Sequence, residues 1–192
     1  GFDIVIGNPP YGVDVDKSLQ EHYGLGKRDS YGVFMSMALR KLIKPGGHLC
    51  FIVSDTWLTI SSHFELRQQI LDHHHLQKVI RLHGDCFRAT VNSCIVTVQI
   101  TEANKKHNSA ELKVLAADFT NLSTRKNVAA FRDKLFHLEE FTGTSTPEFA
   151  VYEYEQDLLE INKNQPVIVG SPKLFRLMDE HHCVKEKRFI ND

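Results

Sequence analysis

The sequence is short of cysteine, of long apolar runs and of excess charge, and each shortage closes off a class of protein. Four cysteines, Cys50, Cys86, Cys94 and Cys183, stand apart with no Cys-x-x-Cys spacing. That excludes a disulfide framework and leaves reduced thiols in a cytoplasmic setting as the expectation. Cys50 and Cys94 lie inside strand-like apolar runs, as core thiols do. No segment approaches the roughly 18 uninterrupted apolar residues of a membrane span, and no charged-then-apolar leader is seen, so neither membrane insertion nor secretion is expected. Lys and Arg number 23 against 24 Asp and Glu, a formal net charge of −1. With no general basic field, a nucleic-acid partner has to be held by a local patch. There is no internal repeat and no low-complexity tract. Methionine is missing from position 1, where Gly1 stands directly before a buried-type run, which predicts an excised part of a longer polypeptide.

What is present is a chain of 192 residues, 42% hydrophobic, enough to bury a core of one domain or a little more. Its first half alternates strand and helix signals. "FDIVIG" is short, β-branched and almost continuously apolar, the pattern expected of a strand buried on both faces of a parallel sheet. A loop over 12–29 follows. "SYGVFMSMALRKLI" carries apolar residues at helical spacing, with Asp29 or Ser30 as N-cap and "KPGG" as the stop. "HLCFIVS" reads as a second strand, "SSHFELRQQILDHH" as a helix capped by Ser61 or Ser62 with Glu65 in box position, and "LQKVIRL" as a third strand. "NSCIVTVQIT" is a fourth, and the short link from the third favours an antiparallel pair. The order strand, helix, strand, helix, strand, strand predicts the second half of a doubly wound α/β sheet. Beyond the polar connector "EANKKHNSA", "ELKVLAADF" suits a strand. "VAAFRDKLFHLEEF" suits an amphipathic helix burying Ala129, Leu135 and Leu138, broken by "TGTSTPE". A last helix is expected from Ser171, with Pro172 in its first turn and Leu174, Phe175, Leu177 and Met178 as its apolar content.

The first strand ends in Asn8-Pro9-Pro10-Tyr11, at the carboxyl edge where open α/β sheets hold ligands. Two prolines fix the backbone and remove two N–H donors, leaving an acceptor-rich rigid turn. Asn8 adds a carbonyl acceptor and Tyr11 a flat face, a set suited to a planar ring with an exocyclic amino group. Such a nitrogen is a poor nucleophile until acceptors hold both hydrogens and draw it towards tetrahedral geometry. Asn8 and the Pro9 carbonyl suit that task, and with an activated methyl donor positioning carries most of the rate.

Three stretches stand in order within residues 2–101: "FDIVIGNPPYG", "SYGVFMSMALRKLIKPGGHLCFIVSDTWL" and "VIRLHGDCFRATVNSCIVTVQI". Through them the chain resembles the catalytic half of adenine-N6 DNA methyltransferases of the gamma class, the Asn-Pro-Pro-Tyr type found in type II restriction–modification enzymes. The resemblance implies an S-adenosylmethionine-dependent, Rossmann-like α/β fold ending in an antiparallel hairpin, with a mixed α/β C-terminal extension. It assigns Asn8, Pro9, Pro10 and Tyr11 to the target amino group. Phe34 becomes a wall for the adenine of S-adenosylmethionine, and Phe87 a contact for the flipped target base. It implies double-stranded DNA as partner, no metal, a bacterial or archaeal cytoplasmic location, and two parts: residues 1–103 as the second half of the catalytic domain, and 104–192 as connector and possible start of a DNA-reading region.

The resemblance also exposes a gap. Family members carry a glycine loop after their first strand, which cradles the methionine part of the cofactor, and then an acidic residue for the ribose. Neither precedes Asn8 in this chain, and "YGLG" at 23–26 follows no strand. The expectation is that the N-terminal half of the catalytic domain and the main cofactor loop are missing, that the chain alone turns over little or nothing, and that its first strand offers an edge through which a homodimer could form.

Plainer readings stand beside these. Phe34 sits among apolar helix neighbours and suits core packing as well as a cofactor wall. Exposed aromatics such as Phe87 also occur singly. His73, His74 and His75 are consecutive, whereas helix ligands want spacing of three or four, so a solvated helix end is expected. Lys27-Arg28 and Lys105-Lys106-His107 suit phosphates or plain surface. Asp55 and Trp57 fall near the site by topology and read as turn and packing residues. Functional rivals are a protein-glutamine or RNA amino-methyltransferase and a noncatalytic DNA-binding or assembly piece.

Overall fold

The apolar β-branched runs pair into one sheet. The computed structural model describes residues 1–10, 12–87, 92–102, 108–123, 128–160 and 169–175. Its strands are β1 (Phe2–Gly7), β2 (Ile43–Ser54), β3 (His75–Leu82), β4 (Ser93–Gln99), β5 (Lys113–Phe119) and β6 (Ala150–Glu155), in the six-stranded order β1-β2-β4-β3-β5-β6. β1 pairs parallel with β2 and β3 with β5, while β4 runs antiparallel to β2 and β3, and β6 antiparallel to β5. This is the α/β class expected, with β3 and β4 as the antiparallel hairpin. The helices are α1 (Lys17–His22), α2 (Ser30–Met37) continuing into a π-turn at Ala38–Leu42, α3 (Thr56–Thr59), α4 (Phe64–Leu71), α5 (Val128–Phe136) and α6 (Asp157–Glu160).

Register decides which side chains share a face, since partners across a ladder point the same way. Val5, Leu49 and Val98 form one row, and Phe51, Val96, Val79 and Ala116 the next. These residues make the larger core, closed by Tyr31, Met35 and Leu39 from the α2 segment, Leu66 and Ile70 from α4, and Phe175. The opposite face carries Ile80, Leu82, Leu115, Ala117, Phe119 and Val151, covered by Leu122, Leu138 and Phe149 with Phe131 and Leu135 of α5 packed against them. That cover does not reach β1, where Phe2, Ile4 and Ile6 are 64%, 60% and 77% exposed, so the strand expected to be buried on both faces packs with one face only. Among the described residues β1 has β2 as its sole ladder partner, so it forms one margin of the sheet. In the turn inside β2, a Cβ on Gly47 would lie 2.8 Å from the Asp3 carbonyl, so the close approach of β1 requires glycine.

Several local expectations are corrected. Neither Ser61 nor Ser62 caps α4: they belong to a 3-10 turn, Ser61–His63, and the N-cap is His63, whose ring is drawn inward by Tyr31. Asp29 is the N-cap of α2, but its side chain makes no capping bond. The helical segment does end before "KPGG", at Leu42, but those residues form a turn within β2. Ala129 is exposed and Leu135 half-buried; of the three residues expected inside, only Leu138 is fully buried, beyond the end of α5. Helix α1 and strand β6 were not anticipated. At 172–175 the expected helix is present, with Phe175 buried and Leu174 exposed. Leu177, Met178, Cys183 and Lys105 to His107 lie outside the described residues. Among the described residues, no helix is long and apolar enough to cross a membrane.

Gln156, wholly buried, joins the second half of the chain to the first. Its Oε1 accepts from the Leu76 amide at 2.8 Å, its Nε2 donates to the Leu71 and His74 carbonyls at 3.1 and 2.9 Å, and its own amide donates to the Leu112 carbonyl at 2.8 Å. Replacing the side chain leaves three backbone groups without their partner. Gln156→Leu should therefore lower unfolding free energy by about 2–4 kcal/mol, read from urea unfolding; a change under about 0.5 kcal/mol would contradict this role.

Candidate active site

β1 delivers the Asn8-Pro9-Pro10 sequence to the carboxyl edge of the sheet, its last residue, Gly7, lying opposite Phe51 while β2 continues to Ser54. Pro9 is buried, whereas Asn8 and Pro10 are exposed. Among the described residues nothing bonds to the Asn8 side chain, and nothing donates to the Pro9 carbonyl. The Pro10 carbonyl is committed: Ser30 donates its hydroxyl to it at 2.6 Å. The Asn8 amide oxygen and the Pro9 carbonyl thus carry no hydrogen bond among the described residues. Gly12 follows at φ 75°, a left-handed conformation that glycine adopts without strain. Tyr11 lies outside the described residues.

α2 starts against this turn. Its first residue, Ser30, is 4% exposed and makes the bond to Pro10, while Phe34, one helical turn later, is 40% exposed. Residues four apart share a helix stripe, so Phe34 lies on the stripe that meets the turn. Its ring is therefore available to a ligand and not absorbed by the core. Tyr31 points inward and anchors the helix start. Its hydroxyl lies 3.0 Å from Thr56 Oγ1 and 2.8 Å from His63 Nε2, and Thr56 Oγ1 lies 2.9 Å from Ser54 Oγ. Burial pushes the Tyr31 phenol far up, against the opposing effect of its Thr56 bond, so it remains a donor. Beneath it Arg67, 1% exposed, donates from Nη1 to the Trp57 and Ile60 carbonyls at 2.6 and 2.8 Å, satisfying the end of α3. Trp57 is buried and donates to Cys94 Sγ at 3.3 Å. Burial pushes the Cys94 thiol up to about 12.

The ends of β2, β3 and β5 are tied together by Arg81. Its Nε and Nη2 donate to Asp55 Oδ2 at 3.2 and 3.1 Å, and its Nη1 to Asp118 Oδ2 at 2.9 Å. The Asp55 amide donates to the Asn92 carbonyl at 3.1 Å, so the same cluster holds the far end of the link that carries Phe87. Asp55 is therefore more than a turn residue, and the alternation of Arg81 with buried neighbours in "VIRL" was the signal for the cluster. At the near end His83 and Asp85 pair at 2.9 Å and Asp85 accepts from Ser123. Phe87 is half-buried and packs beside the second core cluster. β1 and β3 are separated in the sheet by β2 and β4, three strand spacings or about 14 Å. The turn and Phe34 are thus brought to one side, and Phe87 belongs to a loop farther along the same edge. Lys27 pairs with Asp29 and Arg28 with Asp14, each at 3.4 Å, so these two cations are already matched. Among the described residues no cluster of His, Cys, Asp and Glu is arranged to hold a metal. His75 instead lies 2.7 Å from the Lys113 carbonyl.

Residues 1–87 match the family described as Eco57I restriction-modification methylase. A Methanocaldococcus jannaschii protein carrying the name of a type II restriction enzyme and methyltransferase is 31% identical over 139 residues, 71% of this chain and 11% of its own length. A type II methyltransferase of Thermus thermophilus is 37% identical over 81 residues, 34% of this chain and 19% of its own. The chain thus spans a small part of either relative. The crystal structure of a type I restriction-modification methyltransferase subunit from Streptococcus thermophilus superposes with a TM-score of 0.60 at 14% identity, covering 86% of this chain and 37% of that one. That likeness shows the methyltransferase fold.

His63 makes the anchoring of α2 dependent on pH. The ring is 3% exposed; burial first, then the charges of Lys27 and Arg67, depress its pKa from 6.5 to about 4. The unfolded chain takes up a proton near the ordinary value and the folded chain only near 4, so acid favours unfolding between them. Stability should be full above pH 6.5 and fall on acidification to about 4, by on the order of 2 kcal/mol. Urea midpoints for the protein and for His63→Gln measure this. The variant should lack that part of the decline, and parallel curves would count against it.

Proposed function

We propose that this chain, whose residues 1–87 belong to the Eco57I restriction-modification methylase family, supplies the amino-group-holding part of a site-specific DNA adenine-N6 methyltransferase. The carrying observation is the Asn8-Pro9-Pro10 turn, with its Asn8 side chain exposed at the carboxyl edge and its Pro10 carbonyl already occupied by Ser30. In this reading Asn8 Oδ1 and the Pro9 carbonyl each accept one hydrogen of the adenine amino group. Held so, the nitrogen loses conjugation with the ring and its lone pair turns towards the methyl donor. Proline at 9 and 10 keeps backbone donors away from that nitrogen, which would otherwise compete for the lone pair. Tyr11 stacks on the adenine, and Phe87 meets the base after it leaves the duplex, because a paired adenine is out of reach of the turn. S-adenosylmethionine, when bound, supplies a methyl group on a cationic sulfur. The exposed Phe34 ring fits its adenine as one wall of a site, and the described residues contain no strand followed by a glycine loop and an acid to complete it.

Residues 104–192 are the connector from this catalytic part, 1–103, and the start of the region that reads the DNA sequence, in a protein acting in a bacterial or archaeal cytoplasm. The uncovered margin of β1, with Phe2, Ile4 and Ile6 exposed, receives the N-terminal half of the catalytic domain and, when the chain is alone, a second copy. Alone, the chain turns over little or nothing.

The test is transfer of labelled methyl from S-adenosylmethionine by the full-length protein to duplex DNA, RNA and a glutamine peptide. Label should enter adenine in DNA, and Asn8→Ala should reduce the rate by at least about a hundredfold with DNA affinity little changed. Label on RNA or peptide alone, or an unchanged rate in the variant, would overturn the reading. The β1 margin is tested by sedimentation of the chain alone: Ile6→Lys should shift it towards monomer, and a wild-type chain monomeric at high concentration would exclude self-association there.

A further inference from the structure

Ser30 makes two bonds to the chain just after the Asn8-Pro9 pair. Its hydroxyl donates to the Pro10 carbonyl at 2.6 Å and its amide donates to the Val13 carbonyl at 2.9 Å. The second contact is part of a short antiparallel bridge between Asp14 and Asp29, in which the Val15 amide also donates to the Arg28 carbonyl at 2.9 Å. One residue therefore holds two carbonyls that stand three positions apart, on either side of Gly12.

The bond to Pro10 has a particular consequence. A residue has two soft backbone dihedrals, and the pyrrolidine ring already fixes φ. Holding the carbonyl oxygen fixes ψ as well, so Pro10 keeps no soft rotation. The Pro9 carbonyl lies between its own ring and that of Pro10, and the residue before a proline is confined to extended ψ, so its direction follows the placement of Pro10. A serine at the first position of a helix commonly turns its hydroxyl to its own helix or to water. Here it is 4% exposed and spent on the turn. Ser30 stands at an anchored helix start, because Tyr31 beside it is hydrogen-bonded to Thr56 and His63.

We propose that Ser30 is a positioning residue for the Asn8-Pro9-Pro10 turn: by bonding both the Pro10 and the Val13 carbonyl it fixes the direction of the Pro9 carbonyl, and so the geometry in which an amino group is held. It does not touch substrate. The inference rests on the reading of that turn as the amino-group holder, and its two readouts separate the failure of one from the failure of the other.

The first readout is kinetic, in the full-length protein. Ser30→Ala should lower kcat by about tenfold to a hundredfold, with KM for S-adenosylmethionine and for DNA within about twofold. Ser30→Thr, which keeps the hydroxyl, should restore most of kcat. The second readout is amide hydrogen exchange at Val15 and at residue 30, whose amides donate to the Arg28 and Val13 carbonyls, in the chain itself, which needs no activity. Exchange there should quicken at least about tenfold in Ser30→Ala and return in Ser30→Thr, while the amides of β2 and β4 stay as in the wild type. Wild-type exchange in Ser30→Ala overturns the positioning role whatever the kinetics. So does an unchanged kcat, or a loss spread over β2 and β4 that marks general unfolding. If the wild type transfers no methyl to DNA while exchange responds as expected, the functional reading of the turn fails and the mechanical part of the inference stands.

Discussion

Val5 and Gly7 of β1 lie opposite Leu49 and Phe51 of β2, and this pairing decides where Asn8 emerges. Gly7 lets the strands meet as they do, since a Cβ there would stand 2.9 Å from the Phe51 ring. A slip of one residue would turn Val5 outward, drive Ile4 and Ile6 into the α2 side and displace the turn by a strand residue. Each polar contact at the edge presupposes the observed register. Ser30 reaches Pro10 because β1 ends with Gly7 opposite Phe51, and Tyr31 reaches Thr56 because β2 ends at Ser54, two residues before it. A parallel pair with strong apolar rows on one face thus fixes an exposed polar turn that contributes little to stability itself.

Behind that turn the interior is unexpectedly polar. Tyr31, His63, Thr56 and Ser54 form a hydrogen-bonded chain, and Arg67 is buried beside it with its Nη1 bonded to two carbonyls. Apolar side chains of similar volume would cost less desolvation, and a buried network adds modestly to net stability even when satisfied. What directional bonds supply is geometry. They set the start of α2 relative to the end of β2 more tightly than packing alone, and those are the two elements from which Ser30 and Phe34 address the turn. Arg81 does comparable work farther along the edge, where one guanidinium spans Asp55 and Asp118 and so relates three strand ends.

The parts of the fold legible in the sequence were those dictated by period and composition. β1 to β4 are β-branched runs bounded by turn residues, and α2 and α4 repeat apolar residues at helical spacing. β6 escaped because it buries Val151 on one face and Tyr154 on the other, with Tyr152 and Glu153 between and Glu155 after, which blurs the alternation of a half-buried strand. α1 is six residues with none buried, so no apolar stripe marks it. Capping was misjudged at α4 because a serine–serine pair is a strong local signal, and tertiary demand for the His63 ring outweighed it. The acceptor turn itself was readable from two adjacent prolines after a strand. Its fastening was not: nothing local to Ser30 shows that its hydroxyl crosses 20 positions to Pro10. Long-range partners of short polar side chains are set by topology, which sequence period does not encode.

Charge and shape divide the labour in the proposed reading. Lys27 and Arg28 are matched by Asp29 and Asp14, and the chain as a whole carries a formal −1. Counterion release, which dominates affinity for duplex DNA, requires cations free to meet phosphates. The residues beside the turn are poorly equipped for that and well equipped to accept hydrogen bonds from an amino group. Grip on the backbone then falls to other parts of the protein, and selectivity at this edge comes from acceptors held in fixed directions. A turn of that kind gains nothing from flexibility, and its neighbours are prolines, a buried serine and a helix whose first turn is bonded to Thr56 and His63.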